Sequence, residues 1–269
     1  MRRRPLWLAA GLALLLAWLV GYPLAVTIAA ALRGAPGSAP LGPVVDLLTR
    51  PHELAALLRS LWISLASVAL AAAIGVPLAL LVTRFEFPGR RLLTALLALP
   101  VALPPLVGVI AFLYLYGESG LAARAVRGLF GLAGAPWQLG GAPAILLVHA
   151  ASRYVYFYLF TRAALQREDP SLGEAAAVLG AGRWRTFWRV GLPMLSPALA
   201  GAAVLVFMTA LGSFSAPYLF GGSFRVMTTQ ILASKQNGDL DHAEAETALL
   251  VAVALAGLWL ARRLDRRRD

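Results

Sequence analysis

Few side chains in this chain could do chemistry, and they keep unusual company. Arg153 stands inside the apolar run "LLVHAASRYVYFYLF", followed by Tyr154, Tyr156 and Tyr158. A guanidinium in such a run is costly. It is either satisfied by backbone carbonyls or a sister helix, or it attracts an anion or forms a gate. Ser213, Ser215 and Tyr218 in "GSFSAPYLFGG" can offer hydroxyls to a passing ligand, although serines in helices also bond their own backbone. His52, His149 and His242 are scattered and form no metal-ligand cluster, so no metal site is expected. The absence of cysteine excludes disulfides, thiol catalysis and thiolate metal sites. There is no G-x-x-x-x-G-K-[ST] phosphate loop, and the only lysine is Lys235. Nucleotide hydrolysis of that kind therefore needs another polypeptide, and no catalytic residue is assigned.

A charged stretch between two apolar runs is "EAAAVLGAGRWRTFWRVGLP", residues 174–193. Asp169-Pro170 reads as a helix start, with Asp as N-cap and Pro at the first helical position. Gly180 can end that helix in the left-handed conformation, and Gly182 loosens the turn. A second short helix then carries Trp184, Phe187 and Trp188 on one face, with Arg183, Arg185 and Arg189 elsewhere. Leu192-Pro193 is expected to end it and start the next apolar run. The result is a helix–turn–helix elbow, either an ordinary basic interfacial loop or a surface for docking another protein.

The elements that position these residues are long and greasy. The chain is 59% hydrophobic and 14% charged, whereas soluble domains are about half apolar and about a quarter charged. Six runs reach the ~20 residues that a helix needs to cross a bilayer. They are Leu6–Leu32, Leu57–Val82, Leu92–Tyr116, Ala142–Leu165, Pro197–Phe220 and roughly Ala243–Ala261. They lack the short alternation of a β-barrel, so the fold class expected is an all-α polytopic membrane protein. Residues 33–56 read as a Pro- and Gly-rich outward loop. Thr83–Arg91 reads as a hairpin turning at Pro88-Gly89, and Gly21-Tyr22-Pro23 as a kink in the first run. "LPVALPP" is expected to bend the third span. Asp241 and Glu244 read as a capping box for the last helix, which puts Glu244 and Glu246 at a helix end rather than in the interior.

The net charge of +11 is a topology signal rather than a nucleic-acid footprint. With a cytoplasmic N-terminus, 16 of the 24 Lys+Arg fall on cytoplasmic segments, 7 on the opposite side, and Arg153 within a span. Both termini are thereby assigned to the cytoplasm.

The residues of the polar stretch carry a resemblance. Glu174-Ala175-Ala176, three residues, Gly180, nine residues, Val190, one residue and Leu192-Pro193 resembles the "EAA" loop of the membrane permeases of binding-protein-dependent ABC importers, with Val190 in place of the usual Ile. "LPVALPPLVGVIAFLYLYGESG" at 99–120 and "PALAGAAVLVFMTALGSFSAPYLFGG" at 197–222 extend it over roughly 57–262. The resemblance implies the type I permease fold. Residues 1–56 would form the N-terminal helix and loop, 57–262 the core with a coupling loop at 169–193, and 263–269 a basic tail. It implies that Glu174, Ala175, Ala176, Gly180, Trp184, Leu192 and Pro193 couple to a cytoplasmic ABC ATPase dimer, which holds the ATP and Mg. It also implies a second permease subunit, a periplasmic or lipid-anchored solute-binding protein and a bacterial inner-membrane location. Arg153, Tyr154, Ser213, Ser215 and Tyr218 would line the substrate pathway. "SFSAPYLFGG…VMTTQI" looks most like permeases of the ferric-iron group, with polyamine, sulfate and phosphonate permeases close behind.

A rival comes from "GESG" at 117–120, which fits the G-x-S-G nucleophile motif of rhomboid intramembrane proteases. It would require His149 or His242 to face Ser119.

Overall fold

The computed structural model describes residues 6–33, 42–168, 171, 176 and 178–265. Among them the chain is helical, with no strand. Six helical stretches are long and apolar enough to cross a membrane: Trp7–Arg33, Pro51–Arg84, Pro105–Phe130, Gly141–Leu165, Trp184–Leu211 and Leu240–Arg263. Large apolar side chains along Trp7–Leu32 stand exposed, as suits a surface solvated by lipid.

The first span is α1 (Leu6–Leu16) and α2 (Tyr22–Arg33), joined by a π-turn at Ala17–Gly21. The cause lies at Pro23, which has no N–H and whose ring crowds the carbonyl four residues back. Widening the ladder makes room, and the Tyr22 N–H reaches the Ala17 oxygen, five residues away. The same device recurs at Gly191-Leu192-Pro193. A short helix α9 (Arg183–Thr186) runs through a π-turn at Phe187–Gly191 into α10 (Leu192–Leu211), with the Leu192 N–H on the Phe187 oxygen. Leu192-Pro193 therefore widens a continuous helix, which corrects the expectation that it ends one.

Other boundaries also shift. Part of the expected outward loop is helical: α3 covers Gly42–Thr49 and α4 covers Pro51–Arg84. "LPVALPP" breaks the helix instead of bending it. Helix α5 (Arg90–Ala98) passes into a 3₁₀ turn at Leu99–Ala102, Leu103 is extended, and α6 (Pro105–Tyr116) starts afresh. Three prolines within six residues leave too few donors for one ladder. Gly89, at φ +82°, makes the turn between α4 and α5. Helix α7 (Leu121–Phe130) follows, then α8 (Gly141–Leu165). After α10 come α11 (Ser215–Phe220), α12 (Met227–Gln236) and α13 (Leu240–Asp265).

The chain packs as two units, Met1–Arg59 with Val226–Leu255, and Ser60–Arg225 with Ala256–Asp269. In the second unit α8 is the central helix. Val155 and Tyr158 pack with Ala79 and Val82 of α4. Phe157 packs with Ala71 of α4 and with Ala202 and Val206 of α10. Ala144, Ile145 and Val148 meet Ile63, Val109, Ala216 and Phe220. Helix α4 lies close against α8 at Gly75. A Cβ there would overlap the Tyr154 carbonyl oxygen and lie 2.7 Å from Phe157 Cβ and 2.9 Å from the Tyr158 nitrogen. In the first unit, Ala31, Leu47, Leu57, Met227 and Ala245 form one apolar cluster.

Candidate functional site

His149 and Arg153 are four residues apart on α8, so they share a face. A polar strip forms around them in the second unit. His149 is fully buried, with Nδ1 2.7 Å from Ser67 Oγ and Nε2 3.0 Å from Ser213 Oγ. Ser67 gives its one hydroxyl proton to the Ile63 carbonyl at 2.6 Å. That assigns the proton on Nδ1, which donates to Ser67, and leaves Nε2 to accept from Ser213. One turn on, Arg153 Nη2 donates to the Thr209 carbonyl at 3.0 Å, and Nη1 lies 3.4 Å from Ser152 Oγ. The Arg153 Nε is buried without a hydrogen-bond partner.

The structure thus brings Arg153 and Ser213 onto one strip. Tyr154 goes elsewhere: its hydroxyl donates to the Leu97 carbonyl at 3.1 Å, and Tyr158, one turn later, points to the Thr94 carbonyl at 3.4 Å. These tyrosines hold α5 against α8. Ser215 opens α11, and Tyr218 is exposed and stacked on Phe214, with ring centroids 5.0 Å apart. Ser67, His149, Ser152 and Thr209 escape a reading by motif. The i, i+4 spacing of His149 and Arg153 is the signal that finds the strip. With both ring nitrogens of His149 committed to Ser67 and Ser213, His149 is no partner for Ser119, and His242 is held by Asp46 and Asp239. The protease reading fails on geometry.

Of the elbow, Glu174 and Ala175 lie outside the described residues, as do Asp169 and Pro170. Gly180 has φ +76°, and the Ala181 N–H donates to the Ala176 oxygen at 2.9 Å, the wide bond of a helix C-terminus. Beyond it Trp184, Phe187 and Trp188 pack on one another, with centroids 5.6–6.2 Å apart. Trp184 is nevertheless 74% exposed, and Val178 and Leu179 are 87% and 86% exposed. Upstream, Arg84 at the end of α4 pairs with Glu168 just past the end of α8 at 2.6 Å.

The first unit holds a correction. Glu246 is not an end-of-helix carboxylate at the surface. It is fully buried, as is Glu53, at 0% and 2% exposure. The end of α13 is capped by Asp239 instead of Asp241, with the His242 N–H on Asp239 Oδ1 at 3.3 Å. His242 bridges Asp239 and Asp46 at 2.9 and 3.0 Å, and Arg50 pairs with Asp46 at 2.6 Å. The His242 hydrogen bond, then that of Arg50, holds Asp46 below the usual carboxylate range. Burial pushes Asp239 up, but hydrogen bonds from the His242 side chain and backbone outweigh it and leave Asp239 lowered as well.

Residues 71–269 match the family described as binding-protein-dependent transport system inner membrane component. The chain belongs to this family of ABC importer permeases. The permease is 35% identical over 211 residues to the molybdenum transport system permease protein ModB of Mycobacterium tuberculosis, covering 77% of this chain and 78% of that protein. It is 30% identical to the sulfate transport system permease protein CysT of Escherichia coli, over 82% of this chain and 80% of that one. Identity is also 30% to the putative ferric transport system permease protein FbpB 1 of Haemophilus influenzae, over 79% of this chain but 34% of that longer protein. Among solved structures, the fold matches a chain of the bacterial alginate ABC transporter with TM-score 0.79 and 19% identity, over 97% of this chain and 94% of that one. The permease is a multi-pass membrane protein with the importer permease fold.

Proposed function

We propose that the permease forms half of a translocation pathway for a small oxyanion of the molybdate or sulfate kind, driven by ATP hydrolysed on a separate cytoplasmic ATPase dimer. One observation carries the substrate reading. Arg153 brings a guanidinium into the second unit, where it meets neutral partners and keeps its Nε uncommitted. A neutral-walled guanidinium attracts an anion and, being planar and forked, suits a tetrahedral oxyanion. Resemblance to molybdenum and sulfate permeases supports the same class. Ferric iron is the second reading, favoured by the similarity to the ferric transport permease.

The pathway belongs to the 57–262 core and includes Arg153 and Ser213. Tyr154, Ser215 and Tyr218 serve its walls. Both termini are cytoplasmic, in the inner membrane of a bacterium. The elbow of Glu174, Ala175, Ala176, Gly180, Trp184, Leu192 and Pro193 docks on the ATPase, which holds ATP and Mg, and this chain is not itself an enzyme. A second permease subunit completes the pathway, and a periplasmic or lipid-anchored solute-binding protein delivers the cargo. The exposure of Val178, Leu179 and Trp184 supports the docking role, since apolar groups beside three arginines suit a protein partner. Closure of the ATPase dimer would move the elbow and, through the continuous α9–α10 helix, the pathway.

The test is uptake by the transporter reconstituted in vesicles with its binding protein. Labelled molybdate or sulfate should accumulate with ATP inside the compartment bearing the ATPase, and Trp184→Ala should abolish both uptake and co-purification of the ATPase. Accumulation of ferric iron and of neither oxyanion would replace the first cargo reading with the second. An assembled, active Trp184→Ala transporter would sink the docking role.

A further inference from the structure

Glu53 and Glu246 are carboxylates that the transport reading leaves unused. Glu53 sits in the first turn of α4 and Glu246 in the second turn of α13, both sealed in the first unit. Helix α12 presents one donor to each. Gln230 Nε2 donates to Glu53 Oε1 at 2.9 Å, and Ser234 Oγ donates to Glu246 Oε1 at 2.8 Å. Gln230 and Ser234 are four residues apart, so both carboxyl groups are drawn to adjacent places on one face of α12. The second oxygen of each, Oε2, is buried and has no donor.

Ionised carboxylates only accept hydrogen bonds, so two of them side by side cannot satisfy each other. Burying both as anions would also add like-charge repulsion to the cost of removing each from water. A single hydrogen resolves both problems, because a carboxyl can donate to a carboxylate in a short, charge-assisted bond. Among the described residues no group of three or more metal-ligating side chains forms, which disfavours a divalent cation in that place.

We propose that Glu53 and Glu246 are a proton-binding site: one proton, shared between their Oε2 atoms, locks α4, α12 and α13 together. The neighbouring titratable groups are disposed to leave that proton in place. His52 Nε2 lies 3.2 Å from Glu53 Oε1 but is mostly exposed. His242, one turn before Glu246 on α13, is spent on Asp46 and Asp239, and Arg50 of the α3–α4 junction is spent on Asp46. Helices α2 and α3 contribute Ala31 and Leu47 to the adjoining apolar cluster. Removing the proton leaves two charges sealed together, so the three helices part as pH rises.

The experiment uses the full-length permease in lipid nanodiscs. Infrared spectra near neutral pH should show the C=O band of a protonated carboxyl, lost in E53Q and in E246Q alike, because either amide supplies the missing hydrogen and leaves the partner ionised. The melting temperature should fall as pH is raised above neutral in the wild type and stay level in E246Q. If one variant fails to fold, the other carries the comparison. Absence of the band in the wild type overturns the proposal, as does its survival in both variants. A missing band together with stability that depends on sodium would instead make the pair a monovalent-cation site.

Discussion

Arg84 Nη2 stands 2.6 Å from Glu168 Oε2, tying the last residue of α4 to the chain just beyond α8. The pair sits where the chain leaves the central helix for the elbow. Its side chains are 55% and 17% exposed, so solvent screening limits its worth to about 0.2–1 kcal/mol. Arg84→Ala should therefore barely move the melting temperature. It should, however, loosen the root of the elbow, so that ATP is hydrolysed with reduced uptake. The R84E/E168R double exchange should recover the ratio of uptake to hydrolysis measured in vesicles. An unchanged ratio in Arg84→Ala would assign the pair no part in coupling.

Arg153 contributes a charge-assisted hydrogen bond to the Thr209 carbonyl and an uncommitted Nε. If the guanidinium meets the cargo, Arg153→Gln should lower oxyanion uptake about 10- to 100-fold, the equivalent of roughly 1.5–3 kcal/mol for a hydrogen bond to a charged group. Assembly with the ATPase should be retained. Arg153→Lys should recover only part of the uptake, because an ammonium keeps the charge and loses the fork. Initial rates of labelled-anion uptake read both, and wild-type rates in Arg153→Gln would remove this residue from the pathway.

Gly75 of α4 lies against the α8 backbone with no room for a Cβ. A methyl group at that position must displace the backbone of α8, and overpacking of this kind costs about 1–3 kcal/mol. Gly75→Ala should lower the melting temperature in detergent. Gly108→Ala, inside α6 where a Cβ meets nothing within 4 Å, is the matching control and should not lower it. The Gly75 change should also disturb the Ser67–His149 contact, since the same two helices carry it.

Asp46 and Asp239 predict an acid limit for the first unit. Both are held below the ordinary carboxylate value by His242. A group whose folded-state pKa is depressed adds stability above its unfolded value, about 3.9 for Asp, and loses it as pH falls through the lower folded value. Wild-type melting should therefore decline in strongly acidic buffer, below roughly pH 4. The D46N/D239N double variant should be less stable than wild type at neutral pH and flat across that acid window.

Much of this was legible from local sequence. Composition and run length are enough for six spans, because a bilayer core demands about 20 apolar residues per helix wherever the chain crosses it. The Gly180 turn and the aromatic face of Trp184, Phe187 and Trp188 follow from conformational preference and helical period, which act over a few residues. Two kinds of feature stay hidden. The first is how a helix absorbs a proline. Gly-Tyr-Pro and Gly-Leu-Pro read as a kink and an end, whereas both are wide turns in continuous helices. The second is pairing across the chain. Gln230 and Glu53 are 177 positions apart, and nothing near Glu246 in sequence distinguishes an acid in contact with water near the helix start from one sealed against α12. His149 is likewise defined by Ser67 and Ser213, which lie 82 and 64 positions away in sequence.

The wide turn at Phe187–Gly191 also makes the permease sensitive to counting. Each residue in a helix advances the direction of its side chain by about 100°. The bearing of the Trp184–Trp188 face relative to Thr209 on α10 is therefore set by the number of residues between them, including the surplus one that the π-turn holds. Deleting Val190 alone would keep the aromatic face and much of the elbow's helicity, yet swing that face roughly a quarter-turn or more away from its bearing. Such a variant would be a phase error rather than a packing error: stable, inserted, chemically complete, and facing the wrong way.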